Sequence, residues 1–237
     1  HDSHTQQTVA IDAGDDIAYN QALDSKGWRL SQIWVTHHHW DHTDGINALY
    51  KRWQCDVIGP AKHSANPIAH LSTGLEEGDV FQFADMPVEI FHTPGHTLDM
   101  INYYLPSENI LFAGDTLFSL GCGRVFEGTM DMMSQSISKI SALPDETIIY
   151  CSHEYTQANG KFALSVDADN QMLISRINEV ELLIKQGKPT IPTNLKLEKQ
   201  TNPFLRTSSP AIQNKLGLKN ASEAELFAAL RTAKDNF

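Results

Sequence analysis

Histidines are concentrated in the segment Trp34–Gly45, WVTHHHWDHTDG. It holds four histidines and an aspartate within six positions, from His37 to His42. An apolar run precedes it and an apolar stripe at helical spacing follows it, which places the cluster where a strand ends and a helix begins. Imidazoles gather without repulsion when they are neutral and bind a metal ion. The pattern His-x-His-x-Asp-His therefore predicts a metal site.

The segment contains donors for more than one ion. His37 and His39 are two apart in extended chain, so their side chains can face the same way. Asp41 and His42 follow in the turn and can point to a second site nearby. The spacing predicts two half-sites within one short segment.

Three later segments each offer one more donor beside a predicted strand end or turn. His96 follows a Pro-Gly turn in TPGHTLD, Asp115 follows the apolar strand of LFAGDTL, and His153 follows that of YCSHEYT. With the four donors of the first segment, the set comprises five histidines and two aspartates. That set is too large for one tetrahedral zinc ion but suits two metal ions that share a carboxylate. Cys151 could be a further ligand, although a buried strand residue is the preferred interpretation.

The element pattern predicts two domains. Residues 1–157 are rich in strand-like segments and contain the metal donors, so they form the predicted metal-binding catalytic domain. Beyond them, apolar residues repeat at helical spacing at Leu173, Ile177, Val180 and Ile184. We expect a helical, substrate-binding domain over residues 158–237. Ser222 and Glu225 form a capping box that predicts the start of the last helix.

Charge limits the class of partner. The net charge is -11, which argues against nucleic acid. Residues 156–237 carry eleven Lys or Arg and eight Asp or Glu, a balance of +3, while the rest of the chain balances at -14. An acidic first part suits bound cations and a mildly basic last part suits an anionic ligand, although on charge alone solvated surface is the preferred explanation of both.

Composition indicates a globular protein that does not enter a membrane. Hydrophobic residues make up 41% and charged residues 20% of the chain, and no apolar run approaches the ~20 residues of a membrane span. The first residues lack the basic-then-apolar layout of a signal peptide. Three widely spaced cysteines are typical of reduced thiols. We expect a cytoplasmic monomer.

The order and spacing of the metal donors resemble the metallo-β-lactamase superfamily, and within it glyoxalase II, the hydroxyacylglutathione hydrolases. The segments GCGRVFEGT, HEYT, NPFLR and the C-terminal RTAKDNF are similar to motifs of that family. The likeness covers nearly the whole chain. It implies an α/β (α+β) fold, in which a four-layer αββα sandwich is followed by a C-terminal α-helical domain.

The resemblance also implies residue roles. It assigns one metal to His37, His39 and His96, and a second metal to Asp41, His42 and His153. Asp115 would bridge the two metals together with a hydroxide, and Asp41 and Asp115 would be the catalytic carboxylates. Two divalent ions per chain are expected. Zinc is the first choice, with iron or manganese as alternatives because imidazole and carboxylate ligands suit all three.

By the same resemblance, Arg124, Phe126 and Tyr155 would line a glutathione pocket. Arg231 and Lys234 would hold the glycine carboxylate of glutathione. They are three apart on the last predicted helix, so one face would present both charges. Phe126 stands where the family often has tyrosine, so one hydrogen bond to the tripeptide is expected to be missing.

The implied activity is hydrolysis of the thioester in S-D-lactoylglutathione and related 2-hydroxyacylglutathiones to D-lactate and glutathione, by a hydroxide between the metals. This is the second step of methylglyoxal detoxification. Two alternatives stay open: a persulfide dioxygenase-like enzyme with one iron, and a metal-binding protein of the same fold that has lost catalysis. The complete donor set favours the hydrolase, because a single iron needs no second site.

The remaining histidines and the tryptophans have structural interpretations. Surface or satisfied core positions are expected for His38, His63, His70 and His92. Packing roles are expected for Trp34, Trp40 and Trp53, with the pocket mouth as an alternative for Trp40. Arg206 in NPFLR is interpreted as an anchor for a proline turn rather than a substrate contact.

Overall fold

The computed structural model describes residues 1–61 and 67–237, and the chain divides into two compact units. The first unit comprises residues 1–92 and 98–108, and the second comprises residues 93–97 and 109–237. The expectation for His63 lies outside the described residues. The domain boundary at residue 157 stays a prediction. No helix in the described ranges combines the length and apolar character that crossing a membrane requires.

The first unit is built from seven strands and three helices within its described residues. In chain order these are β1 (Val9–Ile11), α1 (Asp16–Lys26), β2 (Gln32–Trp34), α2 (Trp40–Thr43), α3 (Ile46–Trp53), β3 (Asp56–Pro60), β4 (Leu71–Leu75), β5 (Val80–Phe83), β6 (Met86–His92) and β7 (Ile101–Leu105). Strands β1 to β4 pair in parallel in sequence order. Strands β5, β6 and β7 pair antiparallel. Parallel pairing brings the carboxyl ends of β1 and β2 to the same sheet edge.

Both faces of the short strand β2 are covered by other side chains. Successive side chains of a strand point to opposite sides, so Ile33 and Trp34 pack on different faces. On one side, Ile33 packs in an apolar cluster with residues of α1 and α3. On the other side, the fully buried Trp34 contacts Phe83 and Tyr103, with ring centroids 5.2 and 5.1 Å away. The Tyr103 hydroxyl donates a hydrogen bond of 2.7 Å to the Val35 carbonyl. These contacts fix the direction in which the chain leaves β2 and enters the histidine cluster.

The second unit combines short strands with most of the helices. In chain order its elements are β8 (Ile110–Gly114), β9 (Leu117–Phe118), β10 (Gly121–Cys122), α4 (Met130–Ser141), β11 (Ile148–Cys151), α5 (Thr156–Val166), α6 (Gln171–Lys185), β12 (Thr193–Asn194), α7 (Leu195–Thr201), α8 (Pro210–Leu216) and α9 (Glu223–Asp235). Strand β8 pairs in parallel with β11, and β11 pairs antiparallel with β12. Strands β9 and β10 form a hairpin.

Capping residues mark the ends of helices α6 and α9 in the second unit. The side chain of Asn170 accepts hydrogen bonds from two backbone amides and starts α6. Gly187, at φ 64°, follows the end of this helix. The predicted capping box of Ser222 and Glu225 is present at the start of α9. The helical spacing of the apolar residues is confirmed by α6, in which Leu173 and Val180 are buried and Ile184, near the end, is 42% exposed.

Candidate metal centre

The end of β2 leads directly into a cluster of buried imidazoles in the first unit. His37 is fully buried, and its Nε2 lies 3.1 Å from Nδ1 of His39. Two nitrogens on one tetrahedral zinc ion, each about 2.0–2.1 Å from it, stand roughly 3.3 Å apart, so this pair fits two ligands of one ion. His42, on the short helix α2, is also buried, and its ring centroid lies 4.1 Å from that of His37.

Asp12 holds the buried imidazoles of this cluster in one orientation. Its Oδ2 accepts a hydrogen bond of 2.8 Å from Nδ1 of His42, which leaves the His42 Nε2 lone pair for a metal ion. It also accepts from the hydroxyl of Thr36, whose oxygen lies 3.0 Å from Nδ1 of His37. Carboxylates that fix the second ring nitrogen in this way are common around metal-ligating histidines. Asp41 Oδ2 lies 3.7 Å from Nε2 of His42, on the other side of that ring.

The sequence reasoning missed Asp12. A signal for it was present, because Asp12 follows the apolar strand β1 just as Asp115 follows β8. The parallel pairing of β1 with β2 then places it beside the histidine cluster. An aspartate at the carboxyl end of a strand that neighbours the cluster-bearing strand could have been selected on those grounds.

In the second unit, Asp115 stands between two imidazoles. The carboxylate is 5% exposed, its Oδ2 lies 3.4 Å from Nε2 of His96, and its Oδ1 lies 3.3 Å from Nε2 of His153. Each oxygen therefore faces a different histidine, which is the geometry expected of a carboxylate shared by two metal ions. His96 Nδ1 donates a hydrogen bond of 2.8 Å to the Arg124 carbonyl, so its Nε2 keeps a lone pair.

Cys151 does not behave as a metal ligand. Its thiol is buried, and burial raises its pKa to about 11. Among the described residues, the groups of side chains whose donor atoms lie close enough together to hold one ion do not include Cys151. The thiol instead donates to the carbonyl of His153 at 3.8 Å. This agrees with the interpretation of Cys151 as a buried strand residue.

Two neighbours of the predicted ligands are explained by the structure. Nδ1 of His38 lies 2.9 Å from the buried carboxylate of Asp99, so His38 is a partnered residue of the kind expected. Trp40 lies between His39 and Asp41 and is 71% exposed, so the packing role expected for it is wrong. As the first residue of α2, Trp40 points away from the core that buries His42.

Exposed aromatic rings lie against the imidazoles of the second unit. Tyr155 is 51% exposed and stacks on His153 with ring centroids 4.9 Å apart. Phe126 is 63% exposed and lies 5.2 Å from the ring of His96. These rings are apolar surface beside the candidate metal ligands, where a ligand could pack.

Three basic side chains lie near one another: Arg124, which follows β10, and Arg231 and Lys234 near the end of α9. Arg231 is 3% exposed and donates hydrogen bonds of 2.9 Å to the Cys122 carbonyl and to Asp235. The pKa of Lys234 is lowered by burial and by the positive charges of Arg231 and Arg124. The three cations are therefore close enough to repel one another, an arrangement that an anionic group would stabilise. The role of each in ligand binding stays a prediction.

Comparison with known proteins gives consistent matches along the whole chain. The family model described as the metallo-beta-lactamase superfamily matches residues 4–153, and the hydroxyacylglutathione hydrolase C-terminus model matches residues 154–237. The hydroxyacylglutathione hydrolase of Ruegeria pomeroyi is 46% identical over 100% of this chain and 92% of the relative. That of Rhodopseudomonas palustris is 48% identical with the same coverage of both chains. The crystal structure of ETHE1 from Myxococcus xanthus is similar with a TM-score of 0.64 and 26% identity, covering 98% of this chain and 89% of that one.

These matches confirm the fold class expected from the sequence, an α/β metallo-β-lactamase sandwich with a C-terminal helical region. Together with the histidine and aspartate donors, they support the binding of a divalent metal. Both family models and the full-length relatives lead to the family suggested by the motifs. The chain belongs to the hydroxyacylglutathione hydrolase family of the metallo-β-lactamase superfamily.

Proposed function

We propose that this protein hydrolyses the thioester of S-D-lactoylglutathione and related 2-hydroxyacylglutathiones, releasing D-lactate and glutathione. Full-length relatives bear the name of this activity. The observation that carries the proposal is the buried Asp115 carboxylate, whose two oxygens each face a different imidazole. A shared carboxylate suits hydrolysis assisted by two metal ions, and the thioester is the bond that it would cleave.

We further propose two zinc ions per chain. The family resemblance and the donor chemistry assign one ion to His37, His39 and His96, and the other to Asp41, His42 and His153, with Asp115 shared. When bound, such ions supply Lewis acidity, which lowers the pKa of water to about 7 and polarises the substrate carbonyl. The donor set supports two ions rather than one, and thereby supports the hydrolase over an iron dioxygenase.

Residues of the chain prepare these ligands before the substrate arrives. Asp12 and the Arg124 carbonyl accept the Nδ1 protons of His42 and His96, so that each Nε2 is unprotonated. This fixes both the tautomer and the direction of the ring, and little reorganisation is then needed during the reaction. The leaving thiol has a pKa near ~8.5, so it can depart as thiolate without a dedicated general acid.

The basic cluster of Arg124, Arg231 and Lys234 would bind the anionic end of glutathione. Burial and the charges of Arg231 and Arg124 lower the pKa of Lys234, and an approaching carboxylate would offset the repulsion between these cations. Binding energy at this remote end can orient the thioester toward the metal ions. Phe126 offers only an aromatic surface, so it would pack against the tripeptide without donating a hydrogen bond.

A single variant tests the shared-carboxylate assignment. Asp115→Asn removes one anionic oxygen and is expected to lower the occupancy of both metal ions together with thioester hydrolysis. Elemental analysis and an S-D-lactoylglutathione assay measure the two effects. Asp169→Asn, which changes an exposed aspartate of the same unit, is the matched control. Retention of two metals and full activity in Asp115→Asn would show that the assignment is wrong.

We also propose a monomer in the cytoplasm. The three cysteines are free and buried, which suits a reducing compartment. The proposed substrate is a small soluble thioester, so neither nucleic acid nor a membrane is needed as a partner.

A further inference from the structure

The hairpin of β9 and β10, residues Leu117–Cys122, cannot hold its own shape. It contains only two paired positions, Leu117 with Cys122 and Phe118 with Gly121. At its turn, Leu120 adopts φ 60°, a left-handed conformation that is unfavourable for a side chain branched beyond Cβ and costs about 1–2 kcal/mol. So short a ladder with an unfavourable turn needs support from outside the hairpin.

Three polar side chains from the helical region provide that support. We call them the hairpin brace: Asn159 of α5, Glu198 of α7 and Asn202, which follows α7. Asn202 Nδ2 donates to the carbonyls of Phe118 and Gly121 at 3.1 and 2.9 Å. Asn159 Nδ2 donates to the Ser119 carbonyl at 3.1 Å.

Glu198 is the third residue of the brace, and it accepts a hydrogen bond from the hairpin where the two asparagines donate. Its Oε2 accepts the Leu120 amide at 2.8 Å and Asn202 Nδ2 at 3.0 Å, and its Oε1 accepts the hydroxyl of Thr193 at 2.7 Å. The side chains of Glu198 and Asn202 are fully buried. Burial raises the pKa of Glu198, while the hydrogen bonds from Thr193, Leu120 and Asn202 act in the opposite direction. A carboxyl group is costly to bury unless it is hydrogen-bonded, and here the three donors include the backbone amide of the turn residue Leu120.

The braced hairpin contacts the candidate active centre at several points. Phe118 packs edge-on against the rings of His153 and Tyr155, with centroids 5.9 and 5.6 Å away. The hairpin begins two residues after Asp115 and ends two residues before Arg124. Just beyond it, a Cβ on Gly123 would stand 1.9 Å from the Asp115 carbonyl oxygen, so the backbone at Gly123 lies directly against that of Asp115. A movement of the hairpin would therefore displace Asp115, His153 and Tyr155.

We propose that Glu198 and Asn202 are positioning residues for hydrolysis: through the hairpin they set the places of Asp115, Phe118 and Arg124. This role rests on the proposed function for its catalytic consequence. The geometry of the brace itself does not depend on it. A displacement of about 1 Å at a reacting centre can cost roughly 100-fold in rate, so a brace distant from the chemistry can control it.

The test compares three brace variants with one control in metal-loaded protein. Asn202→Ala removes both carbonyl contacts, and Glu198→Leu removes the acceptor of the Leu120 amide. Glu198→Gln keeps that acceptor and is the conservative variant. Ser222→Ala removes the cap at the start of α9 and destabilises the unit, and the side chain that it removes bonds to Glu225 of the same helix. Each protein is assayed well below its melting temperature for kcat, KM, metal content and amide hydrogen exchange of residues 117–122.

For Asn202→Ala and Glu198→Leu we expect at least a tenfold faster exchange in the hairpin and at least a tenfold lower kcat. Glu198→Gln and Ser222→Ala should stay within about twofold of the unaltered protein in both readouts. Faster exchange with unchanged kcat would overturn the positioning role. Unchanged exchange would overturn the brace itself. If the unaltered protein does not hydrolyse acyl-glutathione, the proposed function fails, whereas the exchange result still decides whether the brace holds the hairpin.

Discussion

Asp12→Asn is expected to weaken metal binding although Asp12 is not itself a proposed ligand. The backbone amide of Thr36 donates to Oδ1 of Asp12 at 2.7 Å, so the asparagine must keep its oxygen there. Its Nδ2 then replaces Oδ2, 2.8 Å from Nδ1 of His42. Two N–H donors cannot share that contact. His42 must move its proton to Nε2, the nitrogen needed for the metal, or lose the contact.

The size of this effect follows from the loss of a fixed tautomer. Removal of such an outer partner costs about 10–100-fold in metal affinity, which corresponds to roughly 1.4–2.7 kcal/mol of binding free energy. The same exchange reverses the hydrogen bond to the Thr36 hydroxyl, which in turn lies against Nδ1 of His37. Both metal ions should therefore bind more weakly, and the loss should be larger at the site that contains His42.

The assay is competition for zinc between the protein and a chromophoric chelator, at one pH and one ionic strength. Asp44→Asn serves as the control, since it removes the same charge from an exposed aspartate two residues after His42. It should bind zinc within about threefold of the unaltered protein. Equal zinc affinity for Asp12→Asn and the unaltered protein would show that Asp12 does not set the tautomer of His42.

Three further predictions concern the helical region and the thiols. Arg231→Ala with Lys234→Ala should raise KM more than it lowers kcat, whereas an unchanged KM would show that these residues do not hold the glycine carboxylate of glutathione. Lys234→Ala alone spares the Arg231 hydrogen bonds, so it separates the effect on binding from the effect on stability. Burial raises the pKa of Glu198 above its ordinary 4.5, so the folded state binds more protons than the unfolded state, and the stability of the protein falls as pH rises above 4.5. Glu198→Gln should therefore be more stable relative to the unaltered protein at pH 8 than at pH 4.5, as denaturant titration would measure; a difference independent of pH contradicts this. Burial raises the pKa of Cys122 and Cys151 to about 11 each, so both thiols should resist alkylation at pH 8 until the protein is unfolded, and mass spectrometry of labelled peptides would detect any early reaction.

The donor residues and their neighbouring elements could be predicted because chemistry and periodicity coincide there. The donors Asp115 and His153 follow apolar strands, and β8 and β11 are parallel neighbours, so their carboxyl ends meet at one edge. Helix α3 was predicted from its apolar stripe, of which Ile46 and Leu49 are buried. In these segments local pattern and tertiary environment agree, and the sequence alone is then informative.

Other features depend on contacts that no local pattern records. Helix α1 was not predicted because it buries only Leu23 and has no apolar stripe. Strand β4 was missed because its central residues are exposed and one is Gly74. The short polar helix LKLEKQT gives no sign that Glu198 is buried. Its carboxylate accepts from the amide of Leu120, which is distant in the sequence, and from Asn202, which follows the helix. Such residues can be recognised only once the backbone that they support is known.

Titration of zinc into metal-free protein, with the rate of S-D-lactoylglutathione hydrolysis followed at each addition, measures how many metal ions the reaction needs. Activity should reach its maximum at two zinc ions per chain, and the products should be D-lactate and glutathione. Maximal activity at one ion per chain would contradict the shared role of Asp115. Two bound ions without hydrolysis of this thioester would contradict the proposed function.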